Sequence, residues 1–216
     1  MIEPVLAALG AATIGALVPR YQHLLYRQPE YRSAPMEARR RRLFALVFAL
    51  AAAAGAAAAF AGGEGRLVQA LDALWVLLLL TAASTDIERR LIPDRLVLPT
   101  IVLAGALSWV RPDLSLASVW LGGAAGLGVG AALFALGLLF GAAVRTSETA
   151  FGLGDVKLMA AIGLMVGWPA VVQALFLAMV AAGVFSAVLL ARGRARVAFS
   201  YGPFLAAGAI VVLLVP

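Results

Sequence analysis

Cysteine is absent from the 216 residues, which excludes disulfides, a Cys-ligated zinc knuckle and a cysteine nucleophile. Histidine occurs once, at His23. A zinc-protease helix of the His-Glu-x-x-His type needs two, so that chemistry is excluded too. A serine intramembrane protease needs its histidine beside a buried serine, and a lone histidine among arginines stands against it. Charge is scarce as well. Asp, Glu, Lys and Arg make up 13% of the chain, against roughly 25% in an ordinary soluble domain. With 63% hydrophobic residues and a mean hydropathy of +0.99, a water-soluble globule is excluded. The net charge is +6, a sign that in a soluble protein suggests nucleic acid. Here the basic residues fall between apolar segments, so membrane orientation is their expected role and no nucleic-acid partner is expected.

One bilayer crossing takes about 20 mostly apolar residues. Apolar runs fall at 2–18, 43–61, 67–85, 96–110, 117–144, 155–166, 169–190 and 203–216. They predict an all-α, polytopic integral membrane bundle of about eight transmembrane helices. The runs 96–110 and 155–166 are short, which leaves open whether they span or lie buried or re-entrant. Joining 155–190 into one helix would give roughly 54 Å, too long for a ~30 Å hydrocarbon core. Gly167-Trp168-Pro169 is the predicted break. The opening Met1-Ile2-Glu3 lacks a basic n-region, and Arg20 and Arg27 follow the first apolar run, so 2–18 is expected to be a retained helix and not a signal peptide.

With the N-terminus outside, all of the 17 Lys and Arg except Arg66 and Arg111 fall on the inner side. The positive-inside rule then predicts an N-out, C-out protein. Trp109, Trp120 and Trp168 fall at outer helix ends, while Tyr21, Tyr26, Tyr31 and Tyr201 fall on the inner side. Residues 19–42 form the one extended hydrophilic stretch, expected to be a short basic cytoplasmic loop whose Arg39 to Arg42 anchor on anionic lipid. Gly122, Gly126 and Gly130 recur every four residues, with Gly137 and Gly141 beyond them. Small residues at that spacing let helices approach closely in lipid.

Two acidic residues stand out from the surface charge. Asp86 sits in Ser84-Thr85-Asp86-Ile87-Glu88-Arg89-Arg90-Leu91-Ile92-Pro93-Asp94, at the inner end of the third run. Asp155 sits in Gly152-Leu153-Gly154-Asp155-Val156-Lys157-Leu158, at the inner start of the sixth. The topology above brings both to one membrane face. Either alone would serve as a helix cap or a surface ion pair. Together they are the minimum for aspartyl hydrolysis: two close carboxylates share one proton, the ionised member draws a proton from water, and the other donates to the scissile carbonyl. No metal is required. Gly152 and Gly154 would permit tight or left-handed backbone and close approach of a substrate strand. Asp155 opens a helix and Asp86 closes one, so the helix dipole points to Asp86 as the acid and Asp155 as the base.

The run from Asp86 through Asp94, with its Ile92-Pro93-Asp94 and the following Leu96-Val97-Leu98-Pro99, resembles the first catalytic region of the type IV prepilin peptidases. The segment Gly152 to Gly163 resembles their second, and Tyr201-Gly202-Pro203-Phe204-Leu205 resembles their C-terminal Gly-Pro-Phe segment. The resemblance covers about residues 67 to 216. It implies an aspartyl protease of the inner membrane that removes the basic leader of prepilins or pseudopilins on the cytoplasmic side, after a Gly. Asp86 and Asp155 would be the catalytic pair, and 1–216 a single membrane-embedded peptidase domain. Some relatives also methylate the new N-terminus with S-adenosylmethionine, and many carry a Cys-rich zinc insert between the first two spans. Residues 19–42 are short and lack Cys, so no metal is expected here. Gly-x-Gly-Asp also occurs in the presenilin and signal-peptide-peptidase proteases, but Ile92-Pro93-Asp94 matches the prepilin pattern better.

Four further charged residues are candidates for substrate recognition. A basic leader would be repelled by the Arg-rich inner surface, which leaves Glu88, Asp94 and Glu148 to attract it. Lys157 is an interface anchor that could also tune Asp155. Asp94 reads most simply as the N-cap of the fourth run, and Glu88 as the partner of a nearby Arg. Two readings from other classes are a small proton-coupled transporter and a silent assembly factor. Transporters place such charges near the bilayer midplane, whereas both Asp residues fall at inner helix ends.

Overall fold

The computed structural model describes residues 2–26, 38–61, 65–144, 151–193 and 199–215. Among them the regular structure is entirely helical: α1 (Ile2–Tyr26), α2 (Ala38–Ala61), α3 (Arg66–Arg89), α4 (Asp94–Ala106), α5 (Leu116–Val144), α6 (Leu153–Val166), α7 (Ala170–Ala191) and α8 (Gly202–Leu214), with a 3-10 turn at Ser108–Val110. Four stretches are long and apolar enough to cross a membrane: Arg42–Phe60, Arg66–Arg89, Leu116–Ala143 and Ala170–Ala191. The chain is thus a helical membrane protein. α4, α6 and α8 have 13, 14 and 13 residues, fewer than the about 20 that a crossing takes.

The helices cluster into two compact units, Met1–Ser84 and Thr85–Pro216. In the first, Ala11 of α1 packs with Ala52 and Ala56 of α2, and Ala73, Leu77 and Leu80 of α3 lie against them. Alanine here replaces bulk with proximity. A Cβ on Gly15 would stand 2.7 Å from the Phe48 carbonyl oxygen, so α1 and α2 run nearly backbone to backbone.

The hydrophilic segment 19–42 is not wholly a loop. Residues 19–26 continue α1 and residues 38–42 begin α2, while 27–37 fall outside the described residues. Burial explains the extension. Val18, Gln22 and Tyr26 are buried at helical spacing, continuing the line of Ala11. Gln22 donates from Nε2 to Ser84 Oγ across 2.6 Å. Arg20 marked the end of the apolar run, but one arginine on the exposed face does not stop a helix whose other face is packed.

In the second unit α6 is the core. All of its residues from Val156 to Val166 are buried except Lys157, which is why it can be short: its backbone is surrounded by protein and not by lipid. α5 covers it along the glycine stripe. A Cβ on Gly122 would collide with the Gly163 carbonyl, and one on Gly126 with the Met159 carbonyl. A Cβ on Gly130 would stand 3.0 Å from Val156 Cα, whereas one on Gly137 would meet nothing within 4 Å, so the close seam includes Gly122, Gly126 and Gly130 and not Gly137. The expected break falls at Gly167, whose φ of 72° lies in the left-handed region that favours glycine. Ser118 ties the break to α5, donating from Oγ to the Trp168 carbonyl at 2.6 Å and accepting the Trp168 N–H at 2.9 Å.

Candidate active site

Asp86 lies in the last turn of α3, after Ser84 and Thr85, which are both fully buried. The helix ends at Arg89, and Arg90 turns the chain with a φ of 52°, its N–H still bonded to the Asp86 carbonyl at 2.7 Å. That fixes the Asp86 backbone, to which Ser200 Oγ adds a second hydrogen bond on the same carbonyl at 2.7 Å. The carboxylate is buried, and its Oδ2 accepts the Gly202 N–H at 2.8 Å. Gly202 is the first residue of α8, so this N–H is one that the helix cannot satisfy itself. Pro203 follows and has no N–H to satisfy. A Cβ on Gly202 would stand 2.6 Å from Asp86 Oδ2, so only glycine leaves room for the carboxylate.

Asp155 is the third residue of α6. Its Oδ2 accepts the Gly152 N–H at 2.9 Å, and its own N–H donates to the Gly152 carbonyl at 3.1 Å. The carboxylate caps its own helix start. Its other oxygen, Oδ1, is buried with no hydrogen-bond partner among the described residues. A buried carboxylate oxygen left in that state is a binding point for water or for a substrate group. The segments that hold Asp86 and Asp155 meet where Tyr201, between Ser200 and Gly202, packs on Phe151 with the rings tilted and their centroids 4.9 Å apart. Burial first, then the Asp155 carboxylate, push the Tyr201 phenol above the ordinary value.

Both carboxylates therefore take an N–H from a helix start, Asp155 from α6 and Asp86 from α8. The dipole argument placed Asp86 only at the end of α3. The start of α8 offsets that position, so the dipole no longer separates an acid from a base.

The supporting residues divide. Gly152 has an extended backbone, φ −97° and ψ 158°, and no left-handed geometry. Gly154 is needed for closeness, since a Cβ there would stand 3.0 Å from Ile92 Cβ. The neighbour that fills this space is the chain's own α3–α4 connection. Pro93 caps α4 with extended backbone, and its carbonyl accepts the Leu96 and Val97 N–H groups. Asp94 is consequently the first helical residue and not the cap, and its carboxylate turns instead to Lys157 Nζ at 2.6 Å. Lys157 thus ties α6 to α4. The Glu88 side chain is buried, 3.6 Å from Arg89 Nε. Glu148 lies outside the described residues.

Ser200 and Gly202 hold Asp86; the sequence marks Gly202 only through the resemblance of Tyr201 to Leu205, and it does not mark Ser200. The signal in the sequence was Gly-Pro at the start of an apolar run, a helix start with a spare N–H. Among the described residues no three His, Asp or Glu side chains group as a metal site.

Curated proteins named "Prepilin leader peptidase/N-methyltransferase" are similar to this chain. That of Burkholderia pseudomallei is 34% identical over 137 residues, 62% of this chain and 43% of the relative. That of Aeromonas salmonicida is 33% identical over 154 residues, 70% of this chain and 50% of the relative. That of Stutzerimonas stutzeri is 30% identical over 138 residues, 63% of this chain and 46% of the relative. The chain spans about half the length of the curated relatives it matches. No solved structure gives a significant match. The model of the type IV leader peptidase family matches residues 73–187, which include both Asp86 and Asp155. With more than half of its length under that model, the chain belongs to the type IV leader peptidase family.

Proposed function

We propose that this protein is an aspartyl endopeptidase that removes the basic leader of prepilins or pseudopilins, cutting after a Gly, with Asp86 and Asp155 as the catalytic pair. The observation that carries the reading is the pair itself: two buried carboxylates whose holding segments meet at the Phe151–Tyr201 ring contact, each anchored through one oxygen by a glycine N–H. Anchoring through Oδ2 leaves the second oxygen of each group for chemistry, and Asp155 Oδ1 has no partner among the described residues. With one proton between them, the ionised carboxylate takes a proton from water as the water oxygen attacks the scissile carbonyl carbon. The protonated carboxyl donates to the carbonyl oxygen. Collapse of the tetrahedral species breaks the C–N bond, and the amine leaves with a proton from the pair.

The charge distribution supports an N-out, C-out orientation in the inner membrane, with the pair at the cytoplasmic face. Residues 1–216 act as one membrane-embedded peptidase domain, with anionic lipid at its basic cytoplasmic surface. Asp94 is engaged with Lys157 and Glu88 lies beside Arg89, so recognition of a basic leader falls more heavily on Glu148. Methylation of the new N-terminus would use S-adenosylmethionine. Two cavities, one beside Arg90 and one beside Arg20 and Arg42, present cations, which suit the carboxylate of that cofactor and not its positive sulfonium, so neither is assigned to it.

The test is cleavage of a panel of tagged prepilins in membranes by wild type, Asp86→Asn and Asp155→Asn. Cleavage after Gly that vanishes in both variants, with the variants still folded, is the expected result. Mass spectrometry of the product reports any added methyl group. Cleavage that survives either substitution removes that Asp from the mechanism. A folded wild type that cleaves no prepilin but carries pH-driven flux would favour the transporter.

A further inference from the structure

Each glycine that donates to a candidate catalytic carboxylate is preceded by an aromatic residue. Phe151 stands before Gly152, whose N–H holds Asp155, and Tyr201 stands before Gly202, whose N–H holds Asp86. The two rings meet with centroids 4.9 Å apart and planes tilted by 58°, an arrangement that aromatic pairs favour. Both sides of this contact are fixed to helix starts. The Gly152 carbonyl accepts the Asp155 and Val156 N–H groups at 3.1 and 3.3 Å, and the Tyr201 carbonyl accepts those of Phe204 and Leu205 at 3.0 and 3.2 Å. Phe204 backs Tyr201 with a second tilted ring at 6.3 Å, and Phe151 is buried. Neither helix depends on the rings for its packing. α6 is seated on α5 along the glycine seam, and α8 lies so close to α7 that a Cβ on Gly208 would collide with the Ala174 carbonyl.

We propose that Phe151 and Tyr201 are positioning residues whose ring contact sets the separation of the Asp86 and Asp155 carboxylates. The inference rests on the peptidase reading above and deepens it. The N–H of each glycine belongs to the planar peptide unit that it shares with the aromatic residue before it. A shift of one ring against the other therefore moves a donor N–H, and with it the carboxylate that this N–H holds. Each link is short, one peptide unit and one hydrogen bond. Sharing of a single proton depends on how close two carboxylates are held, so a change at this contact acts on the chemistry more than on the fold. The contact is made by rings, which predicts that phenylalanine can stand in for tyrosine at position 201.

The test follows leader cleavage by the full chain in membranes for wild type, Phe151→Ala, Tyr201→Ala, the double variant and Tyr201→Phe. Each alanine variant should lower kcat on the order of 10²-fold with KM little changed. Because both act through one contact, the double variant should lose no more than either single one, and Tyr201→Phe should restore most of the loss. Phe151→Leu keeps apolar volume at the buried site should Phe151→Ala misfold. The pH profile separates positioning from a merely structural role. Like charges held close drive the two titration steps of a pair apart, so in the alanine variants the bell of kcat/KM against pH should narrow, its alkaline limb moving to lower pH. Glu88, Arg89, Arg90 and Lys157, the charged groups nearest to the pair in sequence, are the same in every variant, and Tyr201→Phe controls for the phenol. Since the chain has no cysteine, Phe151→Cys combined with Tyr201→Cys reads the contact by itself, through cross-linking with a short bifunctional thiosulfonate. Losses that multiply in the double variant, a bell of unchanged width, or Tyr201→Phe as slow as Tyr201→Ala overturns the proposal. A wild type that cleaves no leader while the cysteines cross-link counts against the peptidase reading, whereas cleavage by wild type without any cross-link overturns the ring contact.

Discussion

The backbone N–H of Gly202 donates to Oδ2 of Asp86 across 2.8 Å, between residues 116 apart in the chain. One contact serves two ends, because it satisfies a spare donor at the start of α8 and fixes one oxygen of the Asp86 carboxylate. Proline after Gly202 keeps the helix start clear of further donors to satisfy.

Gly202→Ala puts a methyl group where Asp86 Oδ2 now lies, at 2.6 Å. Because alanine is otherwise welcome at a helix start, the fold should survive and the carboxylate should move. Displacement of a catalytic group by about 1 Å can lower the rate on the order of 10²-fold. Leader cleavage should drop by that much while thermal unfolding in detergent changes little; undiminished cleavage would remove Gly202 from the positioning of Asp86.

A pair that works with one proton is active only between its two macroscopic titration steps, so kcat/KM should trace a bell against pH. Profiles measured on the purified enzyme in detergent would check this. A rate that climbs steadily from acid to alkaline pH would speak against a shared proton.

The Lys157–Asp94 contact is short, 2.6 Å, but its side chains are 33% and 52% exposed. Partly solvated pairs contribute about 0.2–1 kcal/mol. Asp94→Asn and Lys157→Met should each lower stability by no more than that, with the effect shrinking in high salt. A double-mutant cycle on thermal unfolding measures it, and a coupling well above that range would mean the pair is more deeply buried in the membrane-embedded protein.

The glycines of α5 divide into two sets. Gly122→Ala and its counterpart in α6, Gly163→Ala, drive a methyl group into a facing backbone, and overpacking of that kind destabilises by about 1–3 kcal/mol or more. Gly128→Ala and Gly137→Ala meet open space and should be neutral or stabilising by up to about 1 kcal/mol. Comparing folded yield and unfolding temperature of the four variants separates a packing seam from a merely glycine-rich helix.

The sequence by itself determined the class and singled out the candidate carboxylates. Sustained apolar runs admit only helices in a membrane, because every backbone N–H and C=O must be satisfied within its own segment. The Gly167 break and the glycine seam at 122, 126 and 130 are local in character, fixed by backbone sterics that residue type alone reveals. Asp86 and Asp155 stood out because carboxylates at the ends of apolar runs are conspicuous.

Tertiary structure alone decided the partners. Asp94 looked like a cap and proved to be a partner of Lys157, 63 residues away, because Pro93 had already supplied the cap geometry. The dipole asymmetry between Asp86 and Asp155 is offset by α8, which starts against Asp86. α1 ran past Arg20 because Gln22 and Tyr26 had a buried face to fill. In each case the deciding neighbour is distant in sequence. Local propensity can say where a helix or a charge lies, but the group it meets is set by packing between segments.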